Sequence, residues 1–159
     1  LSHEGDAVLD RPMADVMTRD PVTMKPGDDL ADAKARMVEH RIRHLPVTDP
    51  DGRLVGLVTQ RDLLRLRESP YSGTLPDEQE AMDRWSKVSE VMTRNVQAVS
   101  PSDSLIEIQM KMSTTRIDAL PVVKNEEFLG MITSQDLNEV YRLSMALDGS
   151  NLELNLQEA

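Results

Sequence analysis

The sequence contains no cysteine and very few aromatic residues: one Trp, two Tyr and one Phe. Without cysteine the chain can form no disulfide bond and offers no thiolate, which fits a reducing, cytoplasmic compartment. The scarcity of aromatic rings means that a core must be packed from Leu, Val, Ile and the ten methionines. No apolar run approaches the roughly 18 residues of a membrane-spanning helix, so we expect no direct membrane insertion.

Basic residues are also in the minority, with 18 Lys and Arg against 28 Asp and Glu and a net charge of -10. This balance argues against a nucleic-acid surface, because phosphate backbones bind basic faces. With 39% hydrophobic and 29% charged residues, the 159-residue chain suits one soluble domain or two small repeats that share a core. The chain starts Leu-Ser-His-Glu-Gly-Asp, which is neither a signal peptide nor a natural start, so we expect a piece of a longer protein.

What is present is a duplication. With a constant offset of 75 residues, 16–48 and 91–123 are identical at 13 of 33 positions, and both copies open with Val-Met-Thr-Arg. A period this long is typical of a duplicated small domain rather than a solenoid. We therefore divide the chain into a polar N-terminal segment (1–10), a first repeat (11–67), a linker with a short helix (68–87), a second repeat (88–147) and a polar tail (148–159).

Each repeat shows the same order of elements, β-α-β-β-α. A short strand comes first (22–24; 97–99), and a helix follows N-cap chemistry in Gly27-Asp28-Asp29 and in Ser102-Asp103. A buried strand containing Leu-Pro-Val then turns through a hairpin into a return strand (54–58; 128–132). The apolar residues at helical spacing are Leu30, Ala33 and Met37 in the first copy and Leu105, Ile108 and Met112 in the second.

The linker and the C-terminal end carry weaker signals. The spacing predicts a turn region over 68–76 and a helix over 77–87, with Met82, Trp85 and Val88 on one side. Trp85 is a candidate ligand platform, but we favour a packing or dimer contact. The last helix of the second repeat is predicted to stop at Asp148-Gly149, after Leu147.

The return strand of each repeat runs into Gly-x-x-Thr-x-x-Asp and then into a helix: Gly56, Thr59 and Asp62, repeated as Gly130, Thr133 and Asp136. Unpaired N–H groups and the positive end of the helix dipole can hold an anion or a sugar phosphate at such a start. The alternative is a capping box, in which Thr is the N-cap and Asp reaches back from N3. One copy alone favours the cap, but the repetition of the motif favours a site.

The duplicated Val-Met-Thr-Arg, the Leu-Pro-Val strand and the Gly-x-x-Thr-x-x-Asp ending resemble a tandem pair of CBS domains, the Bateman module, over roughly 11–147. The resemblance implies an α+β fold of two β-α-β-β-α units with small sheets, packed with pseudo-twofold symmetry, and a homodimer. It also implies a regulatory role in which AMP, ADP, ATP or a related adenosine compound binds between the repeats, possibly with Mg²⁺. The motif Asp would hold ribose hydroxyls and the motif Thr phosphate, which their hydrogen-bonding groups allow.

By resemblance, each motif is completed by residues of the other repeat. Two clefts result. Cleft one combines Thr133 and Asp136 with Thr18, Val22, Ile42, Arg43 and His44; cleft two combines Thr59 and Asp62 with Thr93, Gln97, Ile117, Asp118 and Ala119. Arg43 and His44 match positions that are often basic in the family, whereas Asp118 would repel phosphate, so cleft one is predicted to be the better nucleotide site. Arg61, beside Thr59, is expected to compensate in part in cleft two.

Other chemistries find little support. His40 and His44 have no nearby third ligand for zinc, and Asp49-x-Asp51-Gly52 is a hairpin turn that lacks the later ligands of a calcium loop. No nucleophile with its base and no Gly-rich phosphate loop is present, so we expect no enzyme activity and no catalytic cofactor. Two alternatives to nucleotide sensing stay open: a ligand-free dimerisation or protein-interaction module, and Mg²⁺ sensing. The regulated protein would be a partner or a fused domain.

Overall fold

The computed structural model describes residues 13–67 and 76–157. The predicted N-terminal segment 1–10 and most of the turn region over 68–76 lie outside these residues. The chain begins with a 3-10 turn, Met13–Asp15. The helices are α1 (Leu30–His40), α2 (Gln60–Arg67), α3 (Pro76–Trp85), α4 (Val88–Val91), α5 (Leu105–Thr115) and α6 (Ser134–Gln157), and the strands are β1 (Thr18–Arg19), β2 (His44–Thr48), β3 (Leu54–Thr59), β4 (Ala119–Lys124) and β5 (Glu127–Thr133).

These elements form two compact units, each with its own small sheet, which confirms the predicted α+β class. Of the described residues, the first-repeat unit comprises 20–67, 76–97 and 125–128, and the second-repeat unit comprises 13–19, 98–124 and 129–157. In the first-repeat unit β2 and β3 pair antiparallel, with His44 opposite Thr59. In the second-repeat unit the strand order is β1-β5-β4, with Thr18 opposite Met131.

The units differ from the sequence repeats at the segment that precedes each first strand, which we call the lead segment (13–19 and 88–94). Met13 and Met17, from the first repeat, are buried among Leu105, Ile108 and Ile132 of the second. In the first-repeat unit Val88 and Met92, from the second repeat, are buried beside the core of the first. A lone β-α-β-β-α copy is too small to cover its core, and the exchanged lead segment supplies the missing apolar surface.

The predicted core positions are confirmed, because the three listed residues of α1 and the three of α5 are buried. The predicted first strands are reduced to single parallel bridges, Met24 to Val47 and Val99 to Val122. Asp29 caps α1 as expected, accepting a hydrogen bond from Asp32 N at 2.8 Å. The cap of α5 is Ser104, not Ser102-Asp103, because Asp103 accepts from Ser100 N at 2.9 Å in the preceding turn.

Two predictions about helices are wrong. First, α6 does not stop after Leu147 but continues through Gly149 to Gln157, which is possible because one glycine inside a helix costs only about 1 kcal/mol. Second, Met82, Trp85 and Val88 do not share one side, because α3 ends at Trp85 and Val88 begins α4. Val88 is buried, whereas Trp85 is 84% exposed and Met82 is 49% exposed.

The turns explain how each copy enters its central strands. Arg41 and Arg116 end α1 and α5 in the left-handed conformation, with φ of 54° and 56°, where the sequence offers no glycine. The Asp49 turn is confirmed, because Asp49 Oδ1 accepts from the N–H groups of Asp51 and Arg53, both at 2.9 Å.

No helix in the described part of the chain combines the length and hydropathy needed to cross a bilayer.

Candidate functional site

Both Thr-x-x-Asp motifs form a capping box at the start of a helix. At the start of α2, Thr59 N donates to Asp62 Oδ2 at 2.8 Å and Asp62 N donates to Thr59 Oγ1 at 3.2 Å. At the start of α6, the matching distances for Thr133 and Asp136 are 2.9 and 3.3 Å. In this copy Thr133 Oγ1 also donates to Asp136 Oδ2 at 3.1 Å. The capping alternative is therefore confirmed as local geometry in both copies.

The capping boxes use only one oxygen of each carboxylate. Within the described residues, Oδ1 of Asp62 and Oδ1 of Asp136 accept no hydrogen bond, and both aspartates are half-buried. Some of the N–H groups expected to be open are occupied, since Gln60 N donates to Arg43 O at 2.9 Å and Ser134 N to Asp118 O at 2.7 Å. Each motif thus presents a held carboxylate with a free acceptor oxygen, and fewer open backbone donors than the sequence suggested.

The glycine of each motif allows a lead segment to approach the return strand. A Cβ on Gly130 would lie 2.3 Å from Thr18 O, a backbone atom. A Cβ on Gly56 would lie 2.5 Å from Met92 Sδ and 3.1 Å from Thr93 O. Leu57 and Thr93 exchange two backbone hydrogen bonds, at 3.0 and 2.9 Å. Each glycine therefore brings a threonine of the Val-Met-Thr-Arg motif onto the strand that ends at the Thr-x-x-Asp motif.

The structure brings part of each predicted cleft together inside one unit. Thr18 lies on the strand beside β5, which ends at Thr133, and Thr93 lies beside β3, which ends at Thr59. The remaining residues of each predicted cleft, apart from Gln97, belong to the other unit. In the first-repeat unit these are Val22 and Ile42, half-buried against its core, with Arg43 and His44; in the second-repeat unit they are Ile117, half-buried against its core, with Asp118 and Ala119.

Gln97, predicted for cleft two, is exposed at the end of the first-repeat unit. Inside their own units, the residues before Leu-Pro-Val adjoin the motif of the same repeat. Arg43 O accepts from Gln60 N, and His44 lies opposite Thr59. In the other copy Asp118 O accepts from Ser134 N. The Thr59–Asp62 motif therefore has the basic neighbours, and the Thr133–Asp136 motif has an acidic neighbour.

Four basic side chains donate hydrogen bonds to backbone carbonyls of the chain itself. Arg19 donates to Ala14 O at 3.3 Å, and Arg94 donates to Ser89 O at 3.2 Å, so the Arg of Val-Met-Thr-Arg closes the turn before it. Arg36 donates to Thr23 O at 2.6 Å and Lys111 to Ala98 O at 3.1 Å. Arg36 and Lys111 were not singled out from the sequence, although they stand 75 residues apart, at equivalent positions of the two repeats.

In the part of the chain that the structure describes, no three His, Asp or Glu side chains lie close enough together to bind a metal ion. His40 Nε2 lies 4.0 Å from Glu39 Oε2 on the exposed end of α1.

Comparisons with known proteins agree with this architecture. A family model described as CBS domain matches residues 13–69 and 88–142. Protein MJ1225 from Methanocaldococcus jannaschii, a proposed archaeal homologue of γ-AMPK, gives a TM-score of 0.75 at 29% identity, covering 88% of this chain and 54% of that one. The CBS domain pair of protein MJ0100, solved with 5′-methylthioadenosine and S-adenosyl-L-methionine, gives 0.66 at 26% identity, covering 82% and 95%.

A curated protein, the homoserine O-acetyltransferase of Methanohalobium evestigatum, is 33% identical over 129 residues, which is 80% of this chain. The L-aspartate semialdehyde sulfurtransferase of Methanocaldococcus jannaschii is 27% identical over 129 residues. The chain spans about a quarter of the length of these relatives, 24% and 22%. The matched region is thus one part of each longer protein.

Proposed function

The chain belongs to the CBS domain family, and from this premise we propose that it is a regulatory module that binds an adenosine-containing small molecule at its Thr-x-x-Asp motifs. Binding would change the behaviour of a fused domain or a partner protein. Such a module needs no reaction of its own, and we propose that the chain is not an enzyme. The observation that carries the proposal is the free carboxylate oxygen that each capping box presents.

The carboxylate chemistry fits a ribose. Asp62 Oδ2 is fixed by Thr59 N, so Oδ1 is held in one orientation without an acceptor role inside the described chain. A ribose offers two neighbouring hydroxyl donors, and hydrogen bonds to a charged acceptor are stronger than those between neutral groups. Asp136, fixed by Thr133 N at 2.9 Å, offers the same group in the second copy. The ligands named for MJ0100 both contain adenosine, which supports this choice of ligand class.

The neighbouring charges suggest that the motifs prefer different ligands. Arg43, which adjoins the start of α2, favours a phosphate-bearing ligand such as AMP, ADP or ATP. Asp118, which adjoins the start of α6, disfavours phosphate and favours a neutral nucleoside or a cationic group. The sequence prediction paired Arg43 with Thr133–Asp136 instead. Because either motif can be removed separately, a binding experiment can decide which one Arg43 serves.

The test is thermal unfolding of the whole chain with AMP, ADP, ATP, S-adenosylmethionine and NAD, each with and without Mg²⁺. A ligand at 100 times its dissociation constant should add about 2.7 kcal/mol to the free energy of unfolding. Asp62→Asn and Asp136→Asn are the variants of choice, because the amide oxygen can still accept from Thr N while the NH₂ group faces the ligand. Loss of the ligand shift with an intact cap supports the proposal; retention of the full shift in the double variant refutes it.

A second function, a dimerisation or protein-interaction module without ligand, is favoured by one observation. The capping boxes alone explain why Thr and Asp occur at this spacing in both copies. Under this alternative, no compound of the panel changes the unfolding temperature. The two Asn variants would then differ from the wild type only by a small loss from a weaker cap, of about 1 kcal/mol or less.

A further inference from the structure

The linker helix α3 is attached to α1 in the first-repeat unit through a buried carboxylate. Asp83 is 6% exposed and is the one buried charged residue recorded in the described part of the chain. Its Oδ2 forms an ion pair with Lys34 Nζ, and its Oδ1 accepts from Gln79 Nε2 at 3.1 Å. Oδ2 therefore ties α3 to α1, while the hydrogen bond to Oδ1 lies within α3 and fixes the orientation of the carboxylate.

Apolar contacts contribute little to this attachment. The two largest apolar residues described in α3, Met82 and Trp85, are 49% and 84% exposed. A buried ion pair that loses one partner leaves an uncompensated charge, which is strongly unfavourable. The position of α3 therefore depends on Asp83 far more than on hydrophobic burial.

The chain after Asp83 runs directly along the start of α1. Ser86 N donates to Met82 O at 3.0 Å, and Ser86 O accepts from Leu30 N at 3.1 Å. Val88 N donates to Asp28 O at 2.8 Å. The end of α3 thus sets where the second lead segment enters the core of the first-repeat unit, in which Val88 and Met92 are buried.

This lead segment ends beside the Thr59–Asp62 motif. Thr93 bonds Leu57 in both directions, and Leu57 stands two residues before Thr59 on β3. A continuous set of hydrogen bonds and buried residues therefore leads from Asp83 to this motif. The Thr133–Asp136 motif has a different partner, because β5 pairs with Thr18 of the other lead segment.

We propose that Asp83 is a positioning residue for the ligand site at Thr59–Asp62, acting through segment 86–93. The inference rests on the proposed function in naming the site as a ligand site. Since coupling is reciprocal, ligand bound at this motif holds α3 against α1, and release of α3 weakens binding there. The helix that joins the two repeats in sequence is then the element that reports occupancy of one motif but not of the other.

The binding test uses AMP and S-adenosylmethionine with Asp83→Asn in two backgrounds. In Asp136→Asn, where only the first motif is intact, the variant should weaken binding by about 5-fold or more, the lower end of typical coupling. In Asp62→Asn, where only the second motif is intact, affinity should not change. Equal losses in both backgrounds indicate general destabilisation and overturn the proposal.

Two further variants separate position from charge. Lys34→Met/Asp83→Leu replaces the buried ion pair with apolar groups, which often preserves or improves packing. This double variant should keep α3 in place and restore affinity to nearly the wild-type value. Glu80→Gln is the matched control, because Glu80 Oε1 forms an exposed pair with Arg84, on the same helix, at 3.1 Å. The hydrogen bond and the charge of Glu80 raise the pKa of Arg84. It should leave binding unchanged.

Amide hydrogen exchange tests the positioning without any ligand. In Asp83→Asn, the N–H groups of Leu57 and Thr93 should exchange faster, while the β1–β5 pair at Thr18 and Met131 should exchange at the wild-type rate. Unchanged exchange at Leu57 and Thr93 in a folded variant overturns the proposal even if binding is weakened. If the wild type binds neither compound, the proposed function fails, and this exchange measurement alone decides the role of Asp83.

Discussion

The two repeats carry equivalent capping boxes at the ends of the equivalent strands β3 and β5, but the residues around the two boxes differ. The first motif adjoins Arg43 and a lead segment attached to α3, and its glycine faces the flexible side chain of Met92. The second adjoins Asp118, and its glycine faces the backbone of Thr18. Duplication has preserved the element that fixes the carboxylate and has changed the groups around it. Under the proposed function, the shared features form the site and the differences set its ligand preference.

The largest effects should be equal in the two copies, because their cores match. Leu30 and Leu105 occupy equivalent first-turn positions and are 1% and 2% exposed. Leu30→Ala and Leu105→Ala should each lower the free energy of unfolding by about 2–5 kcal/mol, the usual cost of a buried cavity. Chemical denaturation measures both. Losses that differ by more than about 2 kcal/mol would show that the two cores are not equivalent.

The motif glycines should separate the copies. Gly130→Ala places a methyl group against Thr18 O, which cannot move without its strand, so it should cost about 3 kcal/mol or more, at the upper end for overpacking. Gly56→Ala mainly meets the Met92 side chain, which can rotate away, and should cost about 1 kcal/mol. Urea unfolding of the two variants gives both values. An equal or reversed order would contradict the close approach at Gly130.

The capping boxes should contribute modestly. Thr59→Ala and Thr133→Ala each remove an acceptor for the N–H of the following Asp, which should cost about 1 kcal/mol. The loss should be larger at Thr133, whose hydroxyl also donates to Asp136. Thr→Ser at each position keeps the hydroxyl and serves as the control. Thermal unfolding without ligand that shows no loss at either position would be inconsistent with the capping geometry.

The smallest effect concerns charge near the ligand. Arg43 is exposed, so Arg43→Ala should weaken ATP binding at Thr59–Asp62 by about fivefold, or about 1 kcal/mol, and should weaken adenosine binding less. The effect should shrink as salt is raised, because exposed charges are screened. Asp118→Ala is the matched variant and should not weaken ATP binding at either motif. Titrations with Asp136→Asn and Asp62→Asn as backgrounds show which motif responds.

Much of the fold could be predicted because it depends on local patterns. The duplication, the buried positions of α1 and α5, and the Thr-x-x-Asp capping boxes follow from spacing and residue type. The exchange of lead segments was implied only by the resemblance, which placed Thr18 with Thr133 and Thr93 with Thr59. The residues themselves do not indicate it, because Met17 and Met92 are apolar and their spacing does not show which unit buries them. The extent of α6 was missed because Gly149 is a common stop signal that tertiary context can override.

The candidate site was predictable only in its residue types. The sequence identified Asp62 and Asp136 but could not show that one oxygen of each is used by the cap while the other is left open. By resemblance it paired Arg43 with Thr133 and Asp136, which stays a prediction. The position of His44 opposite Thr59 depends on the pairing of β2 with β3, which residue types alone do not give. Asp83 was not singled out from the sequence, because burial of its carboxylate depends on Lys34, which lies 49 residues away.

The central claim is that the open oxygen of each motif aspartate holds ribose hydroxyls. The most direct measurement compares thermal unfolding of the wild type with AMP and with 2′,3′-dideoxy-AMP, and repeats the comparison in the Asp62→Asn/Asp136→Asn double variant. The account predicts a clear stabilisation by AMP, a much smaller one by the dideoxy compound, and no difference between the two in the double variant. The claim would be contradicted if both compounds stabilised the wild type equally, or if neither compound stabilised it.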